Sequence, residues 1–199
     1  MRAFTTKELA DRIAKLLVEK AVFQALGESA PQVTMICQQD ARKGVAPDGS
    51  PWVPSQKPRR WGRGGLLNDT GKLIDSIEAK PEDLTTLAIG SDEKQAGLQQ
   101  YGGTIRPVNA TFLAIPLTEE AARAESPRNF PGELVACISQ SGRGGVLVPV
   151  EGGEPVYALT KGPVTIPARP FLGFSEESVE VVMNAVGDKV SNLIIDSVS

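Results

Sequence analysis

Residues 43–65 read "KGVAPDGSPWVPSQKPRRWGRGG", and they constrain the fold more than any other stretch. Four prolines and five glycines fall within this run. Each proline removes a backbone donor, and each glycine adds conformational freedom that a helix or strand must give up. A helix interior or a central strand is therefore excluded here, and the segment must be a long loop or extended arm. The chain is divided by it into a helix-patterned beginning and a mixed, increasingly β-like remainder.

Before the arm, Thr5-Thr6-Lys7-Glu8 fits a capping box, with Thr5 as the cap and Glu8 three residues on. Leu9, Ile13, Leu16, Leu17, Lys20 and Phe23 or Gln24 follow at helical spacing and form one apolar stripe. Gly27 reads as a stop, and Ser29-Ala30-Pro31-Gln32 as a second start, with a serine cap and proline in the first turn. Two N-terminal helices are expected, the second running to about Arg42 with Val33, Ile36 and Cys37 inward.

After the arm, "LLNDTGKLIDSIEA" (66–79) returns to helical periodicity, with Asp69 or Thr70 as cap and Gly71 in the first turn. "DLTTLAIGS" (83–91) reads as a strand, and "DEKQAGLQQYGGTI" (92–105) as a short helix or turn closed by Gly102-Gly103. Four β-like runs follow: "TFLAIPL" (111–117), "ELVACIS" (133–139), "GVLVPV" (145–150) and "VYALTKGPVTIPA" (156–168). Between the first two lies a polar insertion, "TEEAARAESPRNFPG", with room for a helical turn or two. Ser175-Glu176-Glu177 then opens an amphipathic helix. Its glutamates suit the helix dipole, and Val179, Val182, Met183, Val186, Val190, Leu193 and Ile194 share a face. The expected fold is a single α+β domain over residues 1–199. In it an antiparallel sheet packs against N-terminal and C-terminal helices, with 43–65 as an arm and 104–163 as a β-rich elaboration.

The composition narrows the chemistry. The chain has 199 residues, 41% hydrophobic and 23% charged, so a folded core rather than disorder is expected. It contains no histidine. That removes Ser-His-Asp and Cys-His catalysis and most zinc sites together. The two cysteines, Cys37 and Cys137, are far apart in apolar stretches and read as buried free thiols of a reducing compartment. "GRGG" (62–65) and "SGRGGV" (141–146) match neither phosphate-binding glycine pattern and read as turns. Glu119-Glu120, Glu176-Glu177 and Asp92-Glu93 sit at helix starts, and adjacent side chains on a helix diverge too far to form an acid–base pair. Pro47-Asp48-Gly49 reads as a turn, since no alternating ligands follow it. No catalytic, metal or cofactor site is expected. No apolar run approaches the ~20 residues that cross a bilayer, and the N-terminus lacks a signal-peptide pattern. A net charge of −3 does not by itself point to a polyanion as partner.

Two features carry information without carrying chemistry. Within the arm, Trp52 and Trp61 are interleaved with Lys57, Arg59, Arg60 and Arg63. Three readings stay open: a solvated basic run, an ordered protein interface rich in Trp and Arg, or a sequence-independent nucleic-acid-binding arm. Further on, "VTIPARPFLGFSEES" (164–178) sets Arg169 between Pro167 and Pro170 and follows it with Phe171, Leu172 and Gly173. With no catalytic partner in view, this reads as a rigid clasp: prolines hold it extended, Phe171 and Leu172 anchor it, and Ser175 caps the last helix. Arg169 is then the projecting charge, expected to pair with a carboxylate or backbone carbonyls of its own protomer or a neighbouring one.

The order of motifs is itself distinctive. "APDGSPWVP" (46–54), "LLNDTGKLIDSI" (66–77), "IGSDEKQAGLQQYGG" (89–103) and "IPARPFLGFSEES" (166–178) follow one another along the chain. The sequence thereby resembles the virion morphogenesis, or tail-completion, family of Mu-like and related tailed bacteriophages and prophages. That family shows P-D-G-x-x-W-x-P, L-x-x-T-G-x-L-x-x-S-I, Y-A-x-x-H-Q-x-G-G and I-P-A-R-P-F-L-G in the same order. Asp48, Gly49 and Trp52 carry the first motif; Thr70, Gly71, Leu73, Ser76 and Ile77 the second; Pro167, Arg169, Pro170, Phe171 and Gly173 the last. In the third, Gln100, Gly102 and Gly103 fit, while Gln95, Gln99 and Tyr101 replace the usual tyrosine, histidine and phenylalanine. Losing the histidine while keeping the frame argues that position 99 is structural.

The resemblance implies a non-enzymatic structural protein of the virion neck or tail end, assembled in the host cytoplasm and needing no cofactor. It implies self-association in a ring, typically a hexamer, between head connector and tail tube. Tail-tube or connector proteins would be the partners, and any contact with genomic DNA in the lumen would be transient and sequence-independent. No membrane partner is implied. The competing expectation, from a different class, is a nucleic-acid-binding module built on the 57–63 arm.

Overall fold

The computed structural model describes residues 5–54, 67 and 71–198. Helix α1 spans Thr6–Lys43, one helix where two were expected. The capping box at Thr5 and Glu8 is formed in both directions, and Gly44 ends the helix in a left-handed conformation. Pro31 lies inside it. Its missing N–H and its ring together cost a helix interior about 3 kcal/mol. Across that break Ala30 and Val33 are buried with Ala79, against Val181, Val182, Leu87 and Ile89. Burying a Val-sized side chain contributes about 1.5–3 kcal/mol, so packing on both sides of Pro31 outweighs the local stop signal.

Helix α5, Glu176–Val198, runs antiparallel to the second half of α1. Lys189 Nζ lies 2.8 Å from Glu28 Oε1 at one level, and Val181 and Val182 meet Ala30 and Val33 at another. The face expected to be buried is only half covered. Val182, Val186, Val190 and Leu193 are half-buried, whereas Val179, Met183 and Ile194 are exposed. Two helices crossing along one line cover only the narrow seam between them, so the edges of the wider apolar face stay outside.

The region after the arm departs from helical expectation. Among the described residues of 66–79 only Lys72–Asp75 is helical (α2), one turn with Gly71 at its N-cap position. Glu78–Pro81 is a strand, β1, which pairs antiparallel with β2, Leu87–Gly90. The hairpin is anchored to α1: Thr34 Oγ1 accepts the Ala79 N–H at 2.8 Å, and Gln38 Nε2 donates to the Ile77 carbonyl at 3.2 Å. Those side chains occupy backbone groups that would otherwise have continued the helix. Helix α3, Ala96–Tyr101, closes at Gly102 as expected.

The α+β class stands, with the strands among the described residues in three antiparallel sheets. Besides β1–β2, strand β3 (Gly103–Ile105) pairs with β8 (Val164–Ile166). The third has the order β4-β7-β6-β5, from Leu113–Pro116, Tyr157–Thr160, Gly144–Pro149 and Leu134–Ile138. The run 156–168 is thus two strands in different sheets, separated at Lys161-Gly162-Pro163. Everything in the four-stranded sheet lies between β3 and β8 in sequence. It has its own core of Ala121, Val156 and Tyr157, with Phe130 edge-on to the Tyr157 ring. Ala121 belongs to the short helix α4, Glu119–Arg123, and its carbonyl accepts the Tyr157 hydroxyl at 2.8 Å. Strand β5 is an edge, and Cys137 on it is exposed, contrary to the expectation of two buried thiols. On this edge strand only Leu134 packs against the sheet's core, and the residues after it, Cys137 among them, stay exposed.

Among the described residues no helix is long and apolar enough to cross a membrane.

Candidate functional site

The clasp at 167–174 is where distant parts of the chain meet. Pro167, Ala168 and Pro170 are exposed while Arg169 and Phe171 are buried, the alternation of an extended backbone. Phe171 is 1% exposed at the centre of a cluster with Cys37, Ala41, Ala46, Trp52, Leu73, Ile74, Ile77 and Ala96. Those neighbours come from α1, the start of the arm, α2 and α3.

Polar bonds fix the clasp from three sides. The carboxamide oxygen of Gln100 accepts the N–H groups of Phe171 and Leu172 at 2.8 and 3.0 Å, and its Nε2 donates to the Leu172 carbonyl at 3.1 Å. One side chain thus satisfies three backbone groups that an extended loop leaves without a ladder. From a second side, Trp52 Nε1 donates to the Pro170 carbonyl at 2.8 Å. From a third, Cys37 Sγ donates to the Phe171 carbonyl at 3.0 Å. Burial pushes the Cys37 thiol up to about 11. It is therefore a protonated donor at neutral pH and no nucleophile.

Glycines set the spacing. Gly102 has φ +70°, and a Cβ there would lie 2.7 Å from the Ala168 nitrogen and 2.9 Å from the Ile166 carbonyl. The clasp backbone passes directly over it. At Gly173 a Cβ would lie 2.7 Å from Pro47 Cγ. The two motifs that carry these glycines are thus joined to neighbours by contacts that no side chain could share.

The turn that presents Trp52 is built locally. Asp48 accepts the Ser50 N–H at 2.9 Å and its hydroxyl at 2.6 Å, which holds the Asp48 carboxyl below the usual range. Gly49 takes φ +80° and donates to the Ala46 carbonyl at 2.8 Å. The Trp52 N–H then returns to the Gly44 carbonyl at 2.9 Å, placing the indole over the end of α1. Asp48 and Gly49 are themselves exposed and shape this turn rather than touch the cluster.

Arg169 is not the projecting charge that was expected. Its backbone N–H donates to the Gln99 carbonyl at 2.8 Å, and only 9% of the residue is exposed. No carboxylate or carbonyl pairs with its guanidinium among the described residues, and Nε lacks a hydrogen-bond partner. Residues two apart on an extended backbone share a face, so the burial of Phe171 brings Arg169 to the same, inward side. Burial lowers its pKa from the usual guanidinium value. Gln99, where a histidine is usual in the resembling family, also keeps a buried Oε1 without a partner.

The structure therefore brings together Trp52, Gly71 (through α2), Gln100, Gly102, Pro170, Phe171 and Gly173. Pro167 and Arg169 lie beside that centre. Lys57, Arg59, Arg60, Trp61, Arg63 and Thr70 lie outside the described residues. Cys37, Pro47 and Ile74 were not singled out from sequence as parts of this site. Their spacing announces burial or a turn, and nothing in it names Phe171 or Gly173 as the contact. Among the described residues no three histidine, cysteine or acidic side chains group as metal ligands.

The sequence profile of the phage virion morphogenesis family matches residues 5–191. No curated protein and no solved structure matches the chain.

Proposed function

The chain belongs to the phage virion morphogenesis family, and from that premise we propose that it is a structural, non-catalytic protein that closes into a ring at the head–tail joint or tail end. In this role it completes the tail and joins it to the head. The observation that carries this reading is the centre of the motif-bearing region. There the family motifs meet around a buried phenylalanine held by backbone hydrogen bonds. Such a centre stiffens a scaffold. The sulfur within it is a protonated thiol bound to a carbonyl.

A rigid scaffold with apolar surface left over is what assembly needs. Val179, Met183 and Ile194 on α5, and Val135 and Ile138 on edge strand β5, are all exposed in the single copy. An open edge strand and an uncovered helix edge are surfaces on which copies or partners add laterally. Head-to-tail contacts of that kind close into rings when the rotation per copy permits. The partners in this reading are further copies, probed as a hexamer, and the tail-tube or connector protein. Genomic DNA would pass through the lumen with only transient contact.

Negative-stain imaging of the purified protein, alone and mixed with tail-tube protein, tests this. Rings of uniform diameter are expected, either free or capping tube ends. Compact single copies in both preparations would overturn the reading.

A further inference from the structure

The first four turns of α1 lie beyond the protein's own core. Every residue from Thr5 to Val18 is exposed. Helix α5 runs back along α1 from the Lys189–Glu28 pair. Its remaining residues reach about as far as Glu19, so some 20 Å of α1 extends past its end at 1.5 Å per residue. On this projecting part and the turn after it, Leu9, Ile13, Leu16, Leu17 and Phe23 are each between 41% and 61% exposed. Together they present on the order of 500 Å² of apolar surface, the size at which a patch marks an interaction site.

Leu9, Ile13, Leu16, Lys20 and Phe23 are spaced alternately four and three residues apart. That spacing is the seam of a helix–helix pair, with isoleucine and leucine as its knobs. An apolar groove made of loops or sheet would not call for this period. We infer that the projecting N-terminal third of α1 pairs antiparallel with the same segment of a second copy of this chain.

Charge selects both the partner and the direction. When two copies are related by a two-fold axis between residues 14 and 15, Ile13 faces the second copy's Leu16, and Leu9 faces its Lys20. Arg12 then faces the second copy's Glu19, and symmetry makes the pair twice. On the other flank Ala10 faces the second copy's Leu17. A parallel pair would instead set Arg12 against Leu17 and Glu19 against Gln24, with no ion pair. Lys20 lays its alkyl stem over Leu9 and carries its charge to the edge, and a polar residue within a seam fixes register. Within one copy Glu19 already sits at the stripe's edge, 3.7 Å from Lys15 Nζ.

The pairing goes beyond the ring and does not depend on it, because an isologous contact closes on itself. It buries about 1,000 Å² over both copies, at the low end for a specific interface, so association in the micromolar range is expected.

Sedimentation equilibrium from roughly 1 to 100 μM measures the two-copy step, with circular dichroism confirming that each variant keeps its helix content. Leu16→Glu should weaken dimerisation by at least about tenfold. Arg12→Glu and Glu19→Arg should each weaken it by about five- to tenfold, and the two together should restore most of it. Particles of ring mass separate from dimers by sedimentation, so the two assemblies are read independently. A wild type that stays monomeric at the two-copy step, a Leu16→Glu variant that dimerises unchanged, or a double swap no better than the singles would each overturn the inference.

Discussion

The indole N–H of Trp52 donates to the carbonyl of Pro170 at 2.8 Å, joining positions 118 residues apart in sequence. Proline cannot offer its nitrogen to a ladder, so its carbonyl is the only backbone group there that can tie the clasp down. Trp52 supplies the donor and fills the space above α1 at once. Replacing it with phenylalanine removes the N–H donor together with one ring of the indole. Trp52→Phe should lower stability by about 1–3 kcal/mol, since the part-buried Pro170 carbonyl loses its partner and the smaller ring leaves space unfilled. Urea unfolding monitored by circular dichroism measures this, and a variant as stable as wild type would show that the bond contributes nothing.

Gln100 should matter more than its partial burial suggests. Gln100→Ala strands two N–H groups and one carbonyl of the clasp. At about 1–3 kcal/mol per buried group left unpaired, with water recovering part of it, a net loss near 3 kcal/mol is expected. Phe171→Ala should cost about 3–5 kcal/mol through the cavity it leaves. Because both act on one clasp, the double variant should lose less than the sum, and strict additivity would argue that they act separately.

Gly102→Ala tests the close backbone approach. The new methyl meets the Ala168 nitrogen and Ile166 carbonyl at under 3 Å, at a φ that disfavours any side chain. A loss of more than about 2 kcal/mol is expected, against a gain of about 0.4–1 kcal/mol for a glycine-to-alanine change at a compatible backbone position in open space. Gly97→Ala, with nothing near its Cβ, is the control.

The two thiols should report different events. Cys137 is exposed and should react quickly with a disulfide reagent at pH 8, whereas Cys37 is buried and raised to about 11. One thiol per chain should be modified in the native state, and the second only as the clasp opens in denaturant. Two fast thiols in native protein would mean that the Cys37–Phe171 contact is not maintained.

Acid should loosen the start of α1 first at Glu8. Its carboxyl lies below the ordinary range because the Thr5 N–H and hydroxyl donate to it. A lowered folded-state pKa means the stabilisation is present above the ordinary carboxylate range and is lost as pH falls through the folded value. Amide protection factors in the first turn, taken relative to the intrinsic exchange rate at each pH, should therefore fall as the solution is acidified. Glu8→Gln, which keeps a reciprocal acceptor without the charge, should flatten that dependence; an unchanged pH profile in the variant would assign it to another group.

Sequence reading reached the capping box, the clasp, the strands read at 133–139 and 145–150, which form at 134–138 and 144–149, and Gln100 with Gly102 as motif positions. Each of these depends on neighbours within a few residues, or on a pattern shared with a family. It failed at Pro31, where local stop signals lost to burial of Ala30 and Val33 against α5 and β1. It failed again at Glu78–Pro81, where Thr34 and Gln38 bond to the backbone across α1. Arg169 was placed outward because a charge flanked by prolines looks presented. The tertiary requirement that Phe171 fill the core turned Arg169, two residues before it on the same face, inward.

What the sequence alone determined is local: where helices can begin, where proline and glycine forbid them, and which residues carry apolar surface. Whether that surface is covered belongs to the tertiary structure. The stripe Leu9–Ile13–Leu16 and the face Val182–Val186–Val190 have equally apolar patterns. Only the antiparallel packing of α5 against the second half of α1 decides that the second is half-buried and the first lies open. Periodicity depends on the geometry of one helix, while burial depends on what another element brings to it.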